Sequence, residues 1–243
     1  MSENMRAWLF EWTPMLGQGF IGVKQMQKKC VDRSKEYWDY VWIDENYQEY
    51  KKYINTQYPY PFLEYFKQFK VAKVCDVGCG FGKYSVAAGI NGFEVYGMDI
   101  SEHAIKMTKD IMDSFNLQYR DYKICKITAI CFVESMFDGV IAHAVIDHVT
   151  LADAKKSIME LSRITKPEGL INLSFDGLEP DDLKLPHRTL DDGSRLYTEG
   201  DREGLLFRYY TDAEIHDLLK RYAILYFKTN TKGDRDVIIQ NRK

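Results

Sequence analysis

Val74-Cys75-Asp76-Val77-Gly78-Cys79-Gly80-Phe81-Gly82 decides the fold, because a strand, a glycine turn and a helix start follow one another in it without a gap. Lys73–Val77 is short, β-branched at Val74 and Val77 and small between them, the pattern of a strand buried on both faces. Glycines at alternate positions let the backbone pass close to a bound molecule with no Cβ in the way. Lys83–Ile90 is helix-tolerant, with Val86, Ala87 and Ile90 on one face and Asn91-Gly92 as a stop. The amides at the start of that helix are expected to point into the turn.

Downstream, strand and helix alternate, the pattern of a parallel sheet covered on both faces. Strands are expected over residues 93–98, ending at Asp99, and over 122–127, 137–142 and 170–174. A helix capped by Ser101 runs to about residue 115, and another spans Leu151–Ile164. Thr211-Asp212-Ala213-Glu214 is a capping box that opens a late helix, and residues 223–228 and 236–240 form a closing hairpin. Residues 176–208 are polar and long for a connection, as a functional or disordered segment is.

Upstream, residues 1–70 are rich in aromatics, from Trp8, Phe10 and Trp12 to Tyr47, Tyr50 and Tyr53, and Pro14, Gly17, Gly19 and Gly22 break the first part into a loose leader. Helical spacing appears over 46–54, and residues 62–69 lead into the first strand. The reading is an extension and cap over 1–70 and one domain over 71–243, with 176–208 as an insertion on the substrate side.

A net charge of −3 with scattered basic residues argues against a nucleic-acid partner. Cys30, Cys75, Cys79, Cys125 and Cys131 are an odd set without zinc-type spacing, which reads as buried reduced thiols with no metal site. No apolar run reaches about 18 residues and no secretory leader is evident, so the chain reads as cytoplasmic, with no membrane partner.

The chemistry follows from the turn. Gly78, Gly80 and Gly82 make G-x-G-x-G, and Lys83 stands where the dinucleotide fingerprint has its third glycine. Asp76 at the strand end repels a pyrophosphate but suits a ligand with an ammonium group. Asp99, ending the second strand, can accept from both hydroxyls of a ribose, and Ile100 beside it offers an apolar surface to a base. Together these describe a nucleoside joined to an amino acid.

Here the sequence resembles the class I S-adenosylmethionine-dependent methyltransferases, in their small-molecule, type 11/12-like branch. Residues 74–82 fit the family's D-x-G-x-G-x-G motif. Phe137-Asp138-Gly139-Val140-Ile141 with Ala144-Val145-Ile146-Asp147-His148-Val149 resembles its fourth strand and the segment after it. Leu161-Ser162-Arg163 with Lys166-Pro167-Glu168-Gly169-Leu170 resembles the run into its fifth strand, Tyr209 to Ile215 its late helix, and Glu36-Tyr37-Trp38-Asp39 its N-terminal cap.

The resemblance implies a Rossmann-like α/β fold: a seven-stranded, mostly parallel sheet of order 3-2-1-4-5-7-6 with the last strand antiparallel. It implies S-adenosylmethionine as cofactor and S-adenosylhomocysteine as product, held by Asp76, Gly78, Cys79, Gly80, Gly82, Asp99, Ile100, Lys126, Ile127, Ala142 and Trp38. One position departs: the family commonly has an acid after the third strand for the adenine amino group, where this chain has Lys126, which only donates. The adenine must then be held by backbone near Ile127, by Thr128, or less tightly.

Methyl transfer needs acceptor and donor held in line, and a base only if the acceptor arrives protonated. His143 is the candidate for orienting or deprotonating an acceptor. Tyr37, Trp38 and Tyr47 are expected to close over the donor, with His187 and Arg188 on the rim. His148 reads as structural and Asp147 as solvent-facing. The expected acceptor is an oxygen or nitrogen of a small metabolite, on a monomer or homodimer. RNA or protein methylation, and a regulatory protein that binds the cofactor without turnover, are the alternatives.

Overall fold

The computed structural model describes residues 34–43, 47–178 and 181–242. The first leader, with Trp8, Trp12 and Cys30, lies outside them. Three short helices come first: α1 (Ser34–Val41), α2 (Tyr47–Lys52) and α3 (Pro61–Gln68). Proline in the first turn of α3 costs no hydrogen bond there and presets the backbone.

The sheet then builds as expected: β1 (Lys73–Val77), α4 (Lys83–Ile90), β2 (Glu94–Asp99), α5 (Glu102–Ser114), β3 (Tyr122–Ile124), β4 (Phe137–Ala142), α6 (Leu151–Ile164) and β5 (Thr165–Phe175). After these come β6 (His187–Thr189), β7 (Arg195–Tyr197), β8 (Leu206–Phe207), α7 (Asp212–Leu218), β9 (Ala223–Thr229) and β10 (Arg235–Gln240). The seven-stranded sheet has the order β3-β2-β1-β4-β5-β10-β9. β1 runs parallel to β2 and β4, whereas β10 is antiparallel to both β5 and β9. The topology implied by the resemblance is therefore the topology found.

Alternation along the strands sorts the core into two layers. Val74, Ile141 and Ile238 face one side, with α3, α4, α5 and the cap residues Val41 and Trp42. Cys75, Val77, Val140, Ala142 and Val237 face the other, against Ile158 and Leu161 of α6 and Ile215 of α7. Ser101 caps α5 by accepting from the Ala104 amide, and Thr211 and Glu214 make the reciprocal capping box of α7.

Four expectations change. β3 stops at Ile124 rather than residue 127, because the chain doubles back there through a bridge between Lys126 and Ala129. That reversal brings the Cα atoms of Cys125 and Cys131 to 6.0 Å, within disulfide range, and the two are bonded. Only Cys75 and Cys79 are buried free thiols among the described residues, so reduced cysteines no longer argue for a reducing compartment. β5 starts five residues early, at Thr165, with a register shift that lets Glu168 take a positive φ of 61°. Finally, much of 176–208 is ordered as the antiparallel sheet β6-β7-β8, whose Tyr197, Leu205 and Phe207 pack on Tyr37 and Trp38 of α1.

Candidate active site

The strand order reverses between β1 and β4, which opens a crevice at the carboxyl ends of the strands. The glycine turn leaves β1 at that crevice. Gly78 and Gly80 have φ of 71° and 53°, a region only glycine enters freely. A Cβ on Gly78 would stand 2.5 Å from Val145, and one on Gly80 2.9 Å from the Trp42 ring. Space as well as conformation therefore requires glycine.

The turn's amides are committed internally. Those of Gly78 and Cys79 donate to the Met98 carbonyl, at 2.7 and 3.0 Å, and that of Gly82 to Cys79. The Gly80 amide donates to Asp99 Oδ2 at 3.0 Å. The amides of Gly78, Cys79 and Gly80 thus bind β1 to β2, and that of Gly82 closes the turn on itself. A pyrophosphate would find few donors here.

Asp99 is buried, and its Oδ1 accepts from the Ser101 amide at 2.9 Å. Each carboxylate oxygen carries two lone pairs, and with the Ile100 amide also drawn to the carboxylate at most two of the four are left for further donors. Burial pushes this carboxyl up to about 6, against the pull of the Ser101 and Gly80 amides. Asp76 is also buried and accepts from Ser85 of α4 at 2.7 Å. Burial raises it to about 7, opposed by Ser85 and reinforced by the charge of Asp99. Two desolvated acids therefore stand at adjacent strand ends, where a cation and neutral donors would offset the cost of burying them.

The other candidates take their places around this pair. Cys79 is buried with its thiol pushed up by burial, and its sulfur accepts from Thr108 Oγ1 at 3.4 Å. Ile100 is half-buried beside Asp99, Ile127 and Ala142 are buried, and Lys126 is exposed with its carbonyl taken by the Ala129 amide. The Cys125 amide donates to the Asp99 carbonyl, which holds the 125–131 loop at the end of β2.

At the end of β4, His143 stacks on Tyr84 with ring centroids 4.4 Å apart. Burial, helped by the Lys83 charge, depresses its imidazole to about 3. Lys83 Nζ lies over the rings of Tyr60 and Tyr84, and burial lowers it to about 8. His143 is thus a neutral acceptor at ordinary pH and a feeble base.

α1 roofs the crevice. Trp38 stacks on Trp42, and its edge meets His148 at 5.0 Å. Trp42 in turn packs on Phe81 and Tyr50. Tyr37 lies edge-on to Trp38, whereas the Tyr47 hydroxyl donates to the Asp110 carbonyl and faces α5. His187 bonds the Leu185 carbonyl through Nδ1 and Arg188 is exposed on β6, away from these groups in sequence. Asp147 is fully buried, not solvent-facing: one oxygen accepts from the Asp176 amide at 2.9 Å. Trp42, Tyr84 and Ser85 were missed from sequence; the i, i+4 spacing of Trp38 and Trp42 is the signal that points to the first of them.

The donor set fits S-adenosylmethionine: a buried acid for an ammonium group, a second acid with lone pairs for a ribose diol, and a turn whose close approach a side chain would block. Comparison with known proteins agrees. Residues 75–173 match a family described as a methyltransferase domain. A tRNA (carboxymethyluridine(34)-5-O)-methyltransferase of Arabidopsis thaliana is 32% identical over 120 residues, which are 46% of this chain and 26% of that protein. A ubiquinone biosynthesis O-methyltransferase of Pseudomonas fluorescens is 34% identical over 113 residues, 44% of this chain and 46% of that one. The chain thus spans less than half the length of these relatives. In fold, an S-adenosylmethionine-dependent methyltransferase from Methanosarcina mazei superposes with a TM-score of 0.63 at 24% identity, covering 75% of this chain and 98% of that one. Residues 75–173 thus match a methyltransferase domain, carried on a fold that the chain shares with S-adenosylmethionine-dependent methyltransferases.

Proposed function

We propose that the chain transfers a methyl group from S-adenosylmethionine to a small-molecule metabolite. The observation that carries this reading is the pair of buried acids, Asp76 and Asp99, at adjacent strand ends joined by the glycine turn. When bound, the cofactor supplies an electrophilic methyl group on a sulfonium, and the chain's work is to position it and the acceptor. Asp99 accepts from the ribose hydroxyls and Asp76 from the ammonium. Ile100 and Ile127 flank the base, and main chain near Ile127 or Thr128 takes the place of the acid that Lys126 replaces. Gly78, Cys79, Gly80, Gly82 and Ala142 line the floor. Trp38 covers the site, excludes water and offers an aromatic face to positive charge.

His143 accepts a hydrogen bond from the acceptor and orients it; with its proton affinity so depressed, it holds a hydroxyl rather than strips it. The two relatives named above are O-methyltransferases by name, which favours oxygen over nitrogen as the methylated atom. The net charge of −3 favours a metabolite over RNA, the class that the Arabidopsis relative's name points to. Among the described residues no helix is long and apolar enough to cross a membrane.

The test uses cofactor with a labelled methyl group, offered with the small-molecule fraction and, separately, the RNA fraction of a cell extract. Label in the first fraction supports the reading. Label only in RNA transfers the chain to the nucleic-acid class, and tight cofactor binding with no transfer to either leaves a regulatory protein.

A further inference from the structure

Beside the crevice, three side chains that the methyl-transfer reading does not use converge. Asp147 and His148 sit on the 3-10 turn Ile146–His148 that follows β4, and Asp176 directly follows β5. One ligand atom from each lies within 4.8 Å of the others. Two independent features make this more than an acidic cluster. Asp147 is fully buried, and while one of its oxygens accepts from the Asp176 amide, Oδ1 has no hydrogen-bonding partner among the described residues. His148 Nδ1 faces the Leu206 carbonyl at 3.2 Å, and since a carbonyl only accepts, Nδ1 carries the proton. In the neutral ring that leaves the Nε2 lone pair bare, the tautomer in which imidazole binds metals.

The surroundings hold the group in place without satisfying it. The Asp147 carbonyl accepts from the Arg208 amide at 2.7 Å, and the His148 ring is walled by Trp38 and Phe207. Arg235 and Arg202 are nearby cations, but the terminal nitrogens of Arg235 donate to the carbonyls of Tyr210 and Gly233, and Arg202 pairs with Asp182.

We propose that Asp147, His148 and Asp176 bind one divalent transition-metal ion. Two carboxylates and one imidazole suit Zn2+ or Mn2+ better than the softer metals that favour sulfur. In a tetrahedral zinc site with bonds of about 2.0 Å the ligands stand about 3.3 Å apart, so side-chain rotation closes the gap. Three protein ligands leave a position for water or, if the methyl-transfer reading holds, for an acceptor oxygen.

The experiment is titration of the tag-free, chelator-treated full chain with Zn2+ and with Mn2+, in the absence of cofactor and acceptor, so that its outcome is independent of methyl transfer. One ion per chain is expected, with affinity reduced at least a hundredfold in both His148→Gln and Asp176→Asn. No binding of either ion at millimolar concentration overturns the proposal, and so does binding that both substitutions leave intact. Should a variant fail to fold, the visible spectrum of the Co2+-loaded wild type decides instead. Nitrogen and oxygen ligation supports the site, and thiolate charge-transfer bands would put the ion on cysteine and overturn it.

Discussion

Asp99 carries four lone pairs: the amides of Gly80 and Ser101 take two, the Ile100 amide draws on the rest, and what remains serves the ligand in the proposed reading. Hydrogen bonds to a charged group contribute roughly 1.5–3 kcal/mol each. Asp99→Ala is therefore expected to weaken S-adenosylmethionine at least a hundredfold in calorimetric titration; unchanged affinity would remove Asp99 from the site. Asp76 makes a separate, pH-dependent prediction. Its carboxyl is raised to about 7 by burial, and an ammonium partner favours the ionised form, so binding must expel a proton wherever the free group is protonated. Affinity is then full above about 7 and lost as the pH falls through it, by about eightfold between pH 7.5 and 6. Asp76→Asn should bind weakly and keep only the shallow slope, about twofold over this range, that Asp99 at about 6 contributes, and a wild type whose affinity is flat over this range would mean that no cation meets Asp76. Both acids were legible in the sequence, because strand ends and glycines fix where the chain must expose them. The state of His143 was not: its depressed basicity comes from Tyr84 and Lys83, which reach it only through the packing of α4 on the sheet.

At the scale of elements, legibility followed how local the cause was. α4, α6 and the capping box of α7 could be read because their stops and caps lie within a few residues of sequence. The early end of β3 and the Cys125–Cys131 bond depend on a chain reversal, and the β6-β7-β8 sheet depends on packing against α1, so neither has a local signature. The cap shows what such long-range contact implies. The abundance of aromatics suggested an extension and cap over residues 1–70, and in the structure Val41 and Trp42 share one core with Val74, Val86 and Ile141. Trp42 is 4% exposed and touches the glycine turn itself. Trp42→Ala should therefore cost the whole fold about 3–5 kcal/mol, read as a shift of the urea midpoint with an unchanged slope. If the midpoint holds and only proteolysis within α1 accelerates, the cap folds separately from the sheet.

For the molecule as a whole, the crevice is where the pieces that fold by distant contacts meet: the roof from α1, the floor from β1, one wall from the end of β2 and another from the disulfide-closed loop after β3. A ligand that touches all of them binds only the assembled state, so its free energy adds to that of folding. At a hundred times its dissociation constant the cofactor contributes about 2.7 kcal/mol. For a chain of this size each kcal/mol raises the midpoint by about 2–4 °C, so a rise of about 5–11 °C is expected with S-adenosylmethionine or S-adenosylhomocysteine. NAD should give no shift, because the amides of Gly78, Cys79, Gly80 and Gly82 are already engaged within the turn and Asp76 opposes a phosphate. A shift with NAD alone would mean that the turn opens to offer its amides to a pyrophosphate, and the reading of both acids would have to be reversed.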